Sequence, residues 1–102
     1  QELLRRKLAA RDGARAPSPH AWLEQRLLAP LGARVARWGQ DGADGARNLA
    51  GGAHMTARDW GRVGALLLGQ GTVDGRTLVR QATFAELVRG TPAMPAYGVT
   101  FW

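Results

Sequence analysis

Residues 51–69 constrain the fold more than any other stretch: Gly51-Gly52-Ala53-His54-Met55, then Thr56-Ala57-Arg58-Asp59-Trp60-Gly61-Arg62-Val63-Gly64, then Ala65-Leu66-Leu67-Leu68-Gly69. A glycine pair gives the chain freedom to turn, and a capped helix start follows at once. The Thr56 hydroxyl is placed to accept from an amide that the first turn leaves unpaired. Asp59, three residues on, is placed to reach back to the Thr56 amide, a shorter version of the usual capping box. Its charge also suits the positive end of the helix dipole. Ala57, Trp60, Val63 and Leu67 fall on one face, which Gly64 and Leu68 widen, so this face is expected to pack inward. Gly61 and Gly64 each cost about 1 kcal/mol relative to Ala in a helix, and the expectation is that something approaches the backbone closely there. Gly69-Gln70-Gly71 supplies the stop.

The other elements arrange themselves around this helix. Glu2 to about Ala10 reads as a helix with Leu3, Leu4 and Leu8 on one face, ended by Asp12-Gly13. Ser18-Pro19 reads as an N-cap with proline at the first helical position, opening a helix to about Leu28. Trp22, Leu23, Leu27 and the stem of Arg26 are expected inside it, and Pro30-Leu31-Gly32 closes it. Residues 33–50 carry Gly39, Gly42 and Gly45 among Asp41, Asp44 and Asn48, and read as a long loop anchored by Trp38. Val73-Asp74-Gly75-Arg76 is a turn between short β-prone pieces. Gln81 to Arg89 reads as a third clear helix, with Phe84, Leu87 and Val88 apolar. Tyr97-Gly98-Val99-Thr100-Phe101-Trp102 reads as a strand whose backbone groups need partners the chain does not supply. The expected class is mostly α with a C-terminal strand, forming one partial domain over residues 1–102.

Composition narrows the functions. With 102 residues, 45% apolar and 22% charged, the chain has the make-up of an ordinary globular domain or a piece of one. It has no cysteine, which removes disulfides, thiolate metal sites and a cysteine nucleophile. The longest apolar run, Ala65 to Leu68, is far short of the roughly 18–20 residues a spanning helix requires, so no membrane span is expected. Opening on Gln1 and stopping at Trp102 inside an apolar run, both ends read as cut. The net charge of +6 invites a phosphate-binding reading. However, the basic residues, all arginine except Lys7, are scattered from Arg5 to Arg89, and only Arg5-Arg6-Lys7 cluster. A nucleic-acid face should be concentrated, so no nucleic-acid partner is expected.

The inventory of reactive groups is short. Ser18 is the only serine, has Ala21 where a lysine three residues on would be needed, and is explained as a cap. His20, on the first turn of the same helix, is not expected to turn back as its base. His54 lies in the glycine-rich approach to a helix, without an acidic partner at useful spacing. Two histidines 34 positions apart, with no carboxylate at ligand spacing, make no metal site. Asp41 and Asp44 read as solvated loop carboxylates, and Gly51-Gly52 lacks the Lys-Ser/Thr sequel of a phosphate loop.

Taken together, Gly51-Gly52 and Thr56-Ala57-Arg58-Asp59-Trp60-Gly61-Arg62-Val63-Gly64 with Leu66-Leu67-Leu68 resemble serine hydrolases of the β-lactamase and penicillin-binding type. The nearest branch is the class C-like one, with its esterases and 6-aminohexanoate-oligomer hydrolases. Three further segments fall in the order of that family. Leu27-Leu28-Ala29-Pro30-Leu31-Gly32 resembles its Phe-x-Pro-Leu-Gly segment. Gly71-Thr72-Val73-Asp74-Gly75-Arg76-Thr77-Leu78 resembles its Gly-x-x-x-Gly-x-x-Leu turn, and Tyr97 to Trp102 its Tyr-Gly-x-x-Trp/Phe-Trp strand.

The resemblance implies a parent of α+β class, an antiparallel sheet flanked by helices in the β-lactamase/DD-peptidase manner. It further implies amide or ester hydrolysis through an acyl-serine, with backbone amides holding the oxyanion. The family's Ser-x-x-Lys, Tyr-x-Asn and Lys-Thr-Gly or His-x-Gly motifs are not found in this chain. The chain is therefore expected to be the internal stretch between the last two, with no catalytic residue, no metal, no cofactor and no activity of its own. Its implied role is to form one wall of the cleft for a small-molecule amide or ester substrate. Ala50, Gly51, Gly52, Ala53 and His54, with Met55, are the substrate-shaping candidates. Some relatives carry Asn where this chain has Ala50, so no side-chain hydrogen bond to substrate is expected from that position. The alternatives are a small basic nucleic-acid-binding module and a non-catalytic helical interaction domain on the same scaffold. Against the first, the roughly eleven-residue connection between the helices at 57–69 and 81–89 exceeds the short turn of a helix-turn-helix.

Overall fold

The computed structural model describes residues 1–41 and 45–98, about half of the chain being helical with short antiparallel strand pairs between the helices. The chain divides into two compact units, Gln1–Arg62 and Val63–Trp102.

In the first unit, helix α1 (Glu2–Asp12) starts with Glu2 accepting from both Arg5 and Arg6 and ends where Gly13 turns to φ 58°. Leu8 is buried and Leu4 partly so, whereas Leu3, expected beside them, is 68% exposed. The inward stripe follows the i, i+4 row through Leu4 and Leu8, and Leu3 is rotated off it. After a 3₁₀ turn (Gly13–Arg15), Ser18 caps helix α2 (Pro19–Leu23) by accepting from the Ala21 amide at 3.4 Å. The chain continues as a π-helical turn (Glu24–Leu28) and a last α turn, α3 (Ala29–Leu31). Pro30 accounts for the widening: it has no amide to donate, and its ring crowds the carbonyl four residues back, which a π turn relieves. Gly32 then stops the helix in the left-handed region at φ 68°. Leu28, Leu31 and Ala33 are buried, while Trp22, Leu23 and Leu27, expected as the inner face, are only partly covered and Arg26 is exposed. The π turn resets the helical phase, which a constant 3.6-residue period cannot anticipate.

The segment expected to be one long irregular loop instead contains short strands. β1 (Arg37–Trp38) pairs antiparallel with β4 (Ala53–His54), and β2 (Gln40–Asp41) with β3 (Ala46–Arg47). Asp44 lies outside the described residues. Trp38 does anchor this region: it is buried, its indole N–H donates to Glu24 Oε1 at 2.5 Å, and the His20 ring meets it edge-on.

Helix α4 (Ala57–Leu68) begins in the first unit and ends in the second. Its inward face is not the expected one. Leu66 is buried, whereas Trp60 is 50% exposed, Leu67 37% and Leu68 89%. A methyl group added at Gly61 or Gly64 would meet no atom of the described residues within 4 Å, so none of these packs closely on either, contrary to expectation. The helix closes as a full Schellman motif. Gly71 N–H donates to the Leu66 carbonyl and Gln70 N–H to that of Leu67, with Gln70 in the left-handed region at φ 52°.

The second unit continues with β5 (Thr72–Val73) and β6 (Arg76–Thr77), an antiparallel hairpin. Asp74 and Gly75, at φ 49° and 75°, form the two-residue turn that this dipeptide favours in hairpins. Helix α5 (Gln81–Val88) stops one residue short of expectation, with Phe84 and Leu87 partly buried and Val88 45% exposed. Thr91 and Met94 bridge across the following turn. Tyr97 and Gly98, read as the start of a strand, lie in no strand, and the rest of that stretch, residues 99–102, lies outside the described residues. Among the described residues, no helix is long and apolar enough to cross a membrane.

Candidate functional site

The substrate-shaping candidates sit on one short backbone device. Asn48 Oδ1 accepts from the amides of Ala50 and Gly51, both at 2.9 Å, and the Asn48 carbonyl accepts from Gly52 N–H at 2.9 Å. This Asx-type turn is strapped to the preceding strand: Gly39 N–H donates to the Gly52 carbonyl at 2.6 Å, and Asn48 N–H donates to the Gly39 carbonyl at 2.8 Å. Gly52 is buried, and a Cβ on it would lie 2.5 Å from the Asn48 carbonyl oxygen and 3.1 Å from the Gly39 nitrogen. Only glycine lets the two backbones approach so closely. Ala50 and Gly51, by contrast, are exposed at the tip.

Beyond the turn, β4 places Ala53 opposite Trp38 and His54 opposite Arg37. Ala36 N–H donates to the His54 carbonyl at 2.8 Å, and Arg37 Nη2 lies 2.9 Å from His54 Nε2. A shallow groove of about 370 Å³ runs here, lined by Ala36, Ala53, His54, Met55, Thr56 and Trp60. The structure therefore brings Ala53, His54 and Met55 together on one groove and leaves Ala50, Gly51 and Gly52 as the turn beside it. Trp60, assigned to core packing from its spacing, is a half-exposed groove residue instead. Arg37 carried no signal in the sequence, because its link to His54 depends on a pairing between two-residue strands 17 positions apart.

The helix start closes one end of the groove. Asp59 N–H donates to Thr56 Oγ1 at 3.1 Å, the expected cap. The reciprocal partner differs: Thr56 Oγ1 donates to the Asp59 carboxylate at 2.8 Å. Asp59 also takes Arg62 Nη1 at 2.7 Å, while Arg62 Nη1 donates to the Gly32 carbonyl at 2.7 Å. The Thr56 hydroxyl is the main reason the Asp59 carboxyl is held below the usual aspartate value, with Arg62 and the Arg34 amide adding to it against partial desolvation.

Ser18 and His20 give one correction of their own. The ring does reach the hydroxyl, with Ser18 Oγ 3.0 Å from His20 Nδ1. The same oxygen accepts from Ala21 as a helix cap, and among the described residues no carboxylate bonds the ring to orient it as a base would need. No group of three or more acidic or histidine side chains that could hold a metal converges among the described residues. No known protein family, no curated protein and no solved structure matches the chain.

Proposed function

We propose that the chain is the internal stretch of a β-lactamase-like serine hydrolase, between its Tyr-x-Asn and Lys-Thr-Gly or His-x-Gly motifs. In this reading it forms one wall of the cleft for a small amide or ester substrate and contributes no bond chemistry. The observation that carries the proposal is the turn from Asn48 to Gly52. Its amides are consumed by Asn48, and its glycine is locked against Gly39, so it offers shape rather than reactive groups. The lone serine is occupied as a cap, and Thr56 and Asp59 are occupied at the start of α4. These are properties of a supporting wall.

The test is turnover of nitrocefin and p-nitrophenyl esters by the full-length parent, together with the motifs encoded on either side of this stretch. Hydrolysis with burst kinetics, from a parent that carries Ser-x-x-Lys upstream, is the expected result. A parent with neither flanking motif and no turnover overturns the proposal.

A further inference from the structure

Among the described residues, the Arg37–His54 pair holds a positive charge that no carboxylate pairs, beside a groove. A guanidinium has donors only, so in the 2.9 Å contact between Arg37 Nη2 and His54 Nε2 the imidazole nitrogen accepts. The carboxylate ion pairs among the described residues all lie elsewhere: Glu2 with Arg5 and Arg6, Asp12 with Arg11, Asp59 with Arg62, and Glu86 with Arg89. Arg37 is exposed, and among the described residues it forms no ion pair with a carboxylate. His54, to which it is bonded, lines the groove whose other walls include the half-exposed indole of Trp60 and the thioether of Met55.

We propose that this groove binds a small carboxylate with an aromatic or apolar arm. The carboxylate sits on the Arg37 guanidinium and the arm lies over Trp60. A single guanidinium fork matches the two oxygens of a carboxylate, and one cation balances one negative charge, which favours a carboxylate over a phosphate dianion. The arm gains by covering an indole that is otherwise half in water. The volume of about 370 Å³ sets the size of the ligand: a single ring with a short chain, not an oligomer. This inference deepens the cleft-wall reading by naming what the wall receives, but it stands on the Arg37–His54 geometry and is tested by binding alone.

The experiment titrates the ¹⁵N-labelled chain with phenylacetate and, separately, with its uncharged isostere phenylacetamide. Phenylacetate is expected to move the amide signals of Ala53, His54 and Met55 and the Trp60 indole signal, and to bind about tenfold or more tightly than the amide, as a charge-assisted contact requires. Arg37→Gln is expected to bring phenylacetate down to the affinity of the amide. Equal affinities for acid and amide, no binding of either, or shifts confined to Arg5, Arg6 and Lys7 overturn the proposal. Because the acid-versus-amide comparison uses the unaltered chain, a folding defect in the variant does not confuse it. Binding without turnover by the parent removes the hydrolase and leaves the subsite. Turnover without this binding does the reverse.

Discussion

The Arg62 guanidinium donates to the Gly32 carbonyl at 2.7 Å across 30 positions of sequence while the same nitrogen holds Asp59. The carbonyl it reaches belongs to the glycine that ends α3, one of the acceptors a helix end leaves open. Arg62 therefore secures the start of one helix to the finish of another within the first unit. Arg62→Met keeps much of the stem and removes the donors. Its expected effect is roughly three- to tenfold faster hydrogen exchange at the Asp59 amide, which donates to Thr56 at the same helix start, the scale of one net hydrogen bond. Unchanged exchange there counts against the clamp.

Asp59 gives that clamp a pH dependence whose sign is fixed. Its carboxyl is held below the ordinary 3.8, first by the Thr56 hydroxyl. A lowered folded value contributes stability that is fully present above 3.8 and is lost as pH falls through the lower folded value. Following the Asp59 carboxyl carbon by NMR should give a midpoint below the ordinary value, with the Arg34 amide shifting in step. Thr56→Ala should raise that midpoint and cost about 1 kcal/mol as a lost cap. A midpoint at or above the ordinary value would contradict the geometry.

Gln70 holds the left-handed position of the α4 stop at φ 52°, where glycine is the usual occupant. Gln70→Gly is expected to slow hydrogen exchange at the Gly71 amide roughly two- to fivefold, through relief of that backbone strain. Gly71→Ala should go the other way and cost more than about 1 kcal/mol, because its φ is 98° and a Cβ would collide with the Val79 carbonyl.

Gly61 and Gly64 supply a test of the parent reading. With no atom of the described residues within 4 Å at either, Gly61→Ala and Gly64→Ala should each slow hydrogen exchange of the α4 amides in the isolated chain by up to about fivefold, the scale of about 1 kcal/mol of helix propensity. In a parent hydrolase, whose sheet would lie against its helices, the same changes should be neutral or harmful. Equal stabilisation of both proteins would argue that nothing covers these glycines in the parent.

The isolated chain is also expected to unfold without strong cooperativity. Among the described residues no side chain is completely buried, and Leu8, Leu28, Leu31, Ala33, Trp38 and Leu66 form the whole buried apolar set. Tryptophan fluorescence and far-UV circular dichroism should give transitions that do not coincide. A single sharp transition shared by both probes would refute this expectation.

Features encoded over three or four residues were legible in the sequence: Ser18 before Pro19, Thr56 with Asp59, Gly32 after Leu31, and Asp74-Gly75 in the hairpin. Each is settled by local hydrogen bonding or by backbone freedom. What failed depends on distance. Three consecutive leucines at 66–68 let periodicity favour several faces of α4, and tertiary packing selected Leu66. The strand pairs at 37–38 with 53–54, and at 40–41 with 46–47, are too short to show alternation. Pro30-Leu31-Gly32 marks the helix end correctly, but the π turn at 24–28 that precedes it has no signature in a 3.6-residue period. At the candidate site, the glycines and His54 could be singled out from their place before a helix, but Arg37 and the exposure of Trp60 arise only once β1 meets β4.

The contact between Gly39 and Gly52 has a practical consequence for changing this protein. The turn between Asn48 and Gly52 is fixed by main-chain atoms and by one asparagine, while Ala50 and Gly51 project into open space. Position 50 is therefore free to carry a new side chain without disturbing the register of the strands beneath it. A library that varies Ala50 while keeping Gly39, Asn48 and Gly52 would redraw the rim of the neighbouring groove and leave its foundations in place.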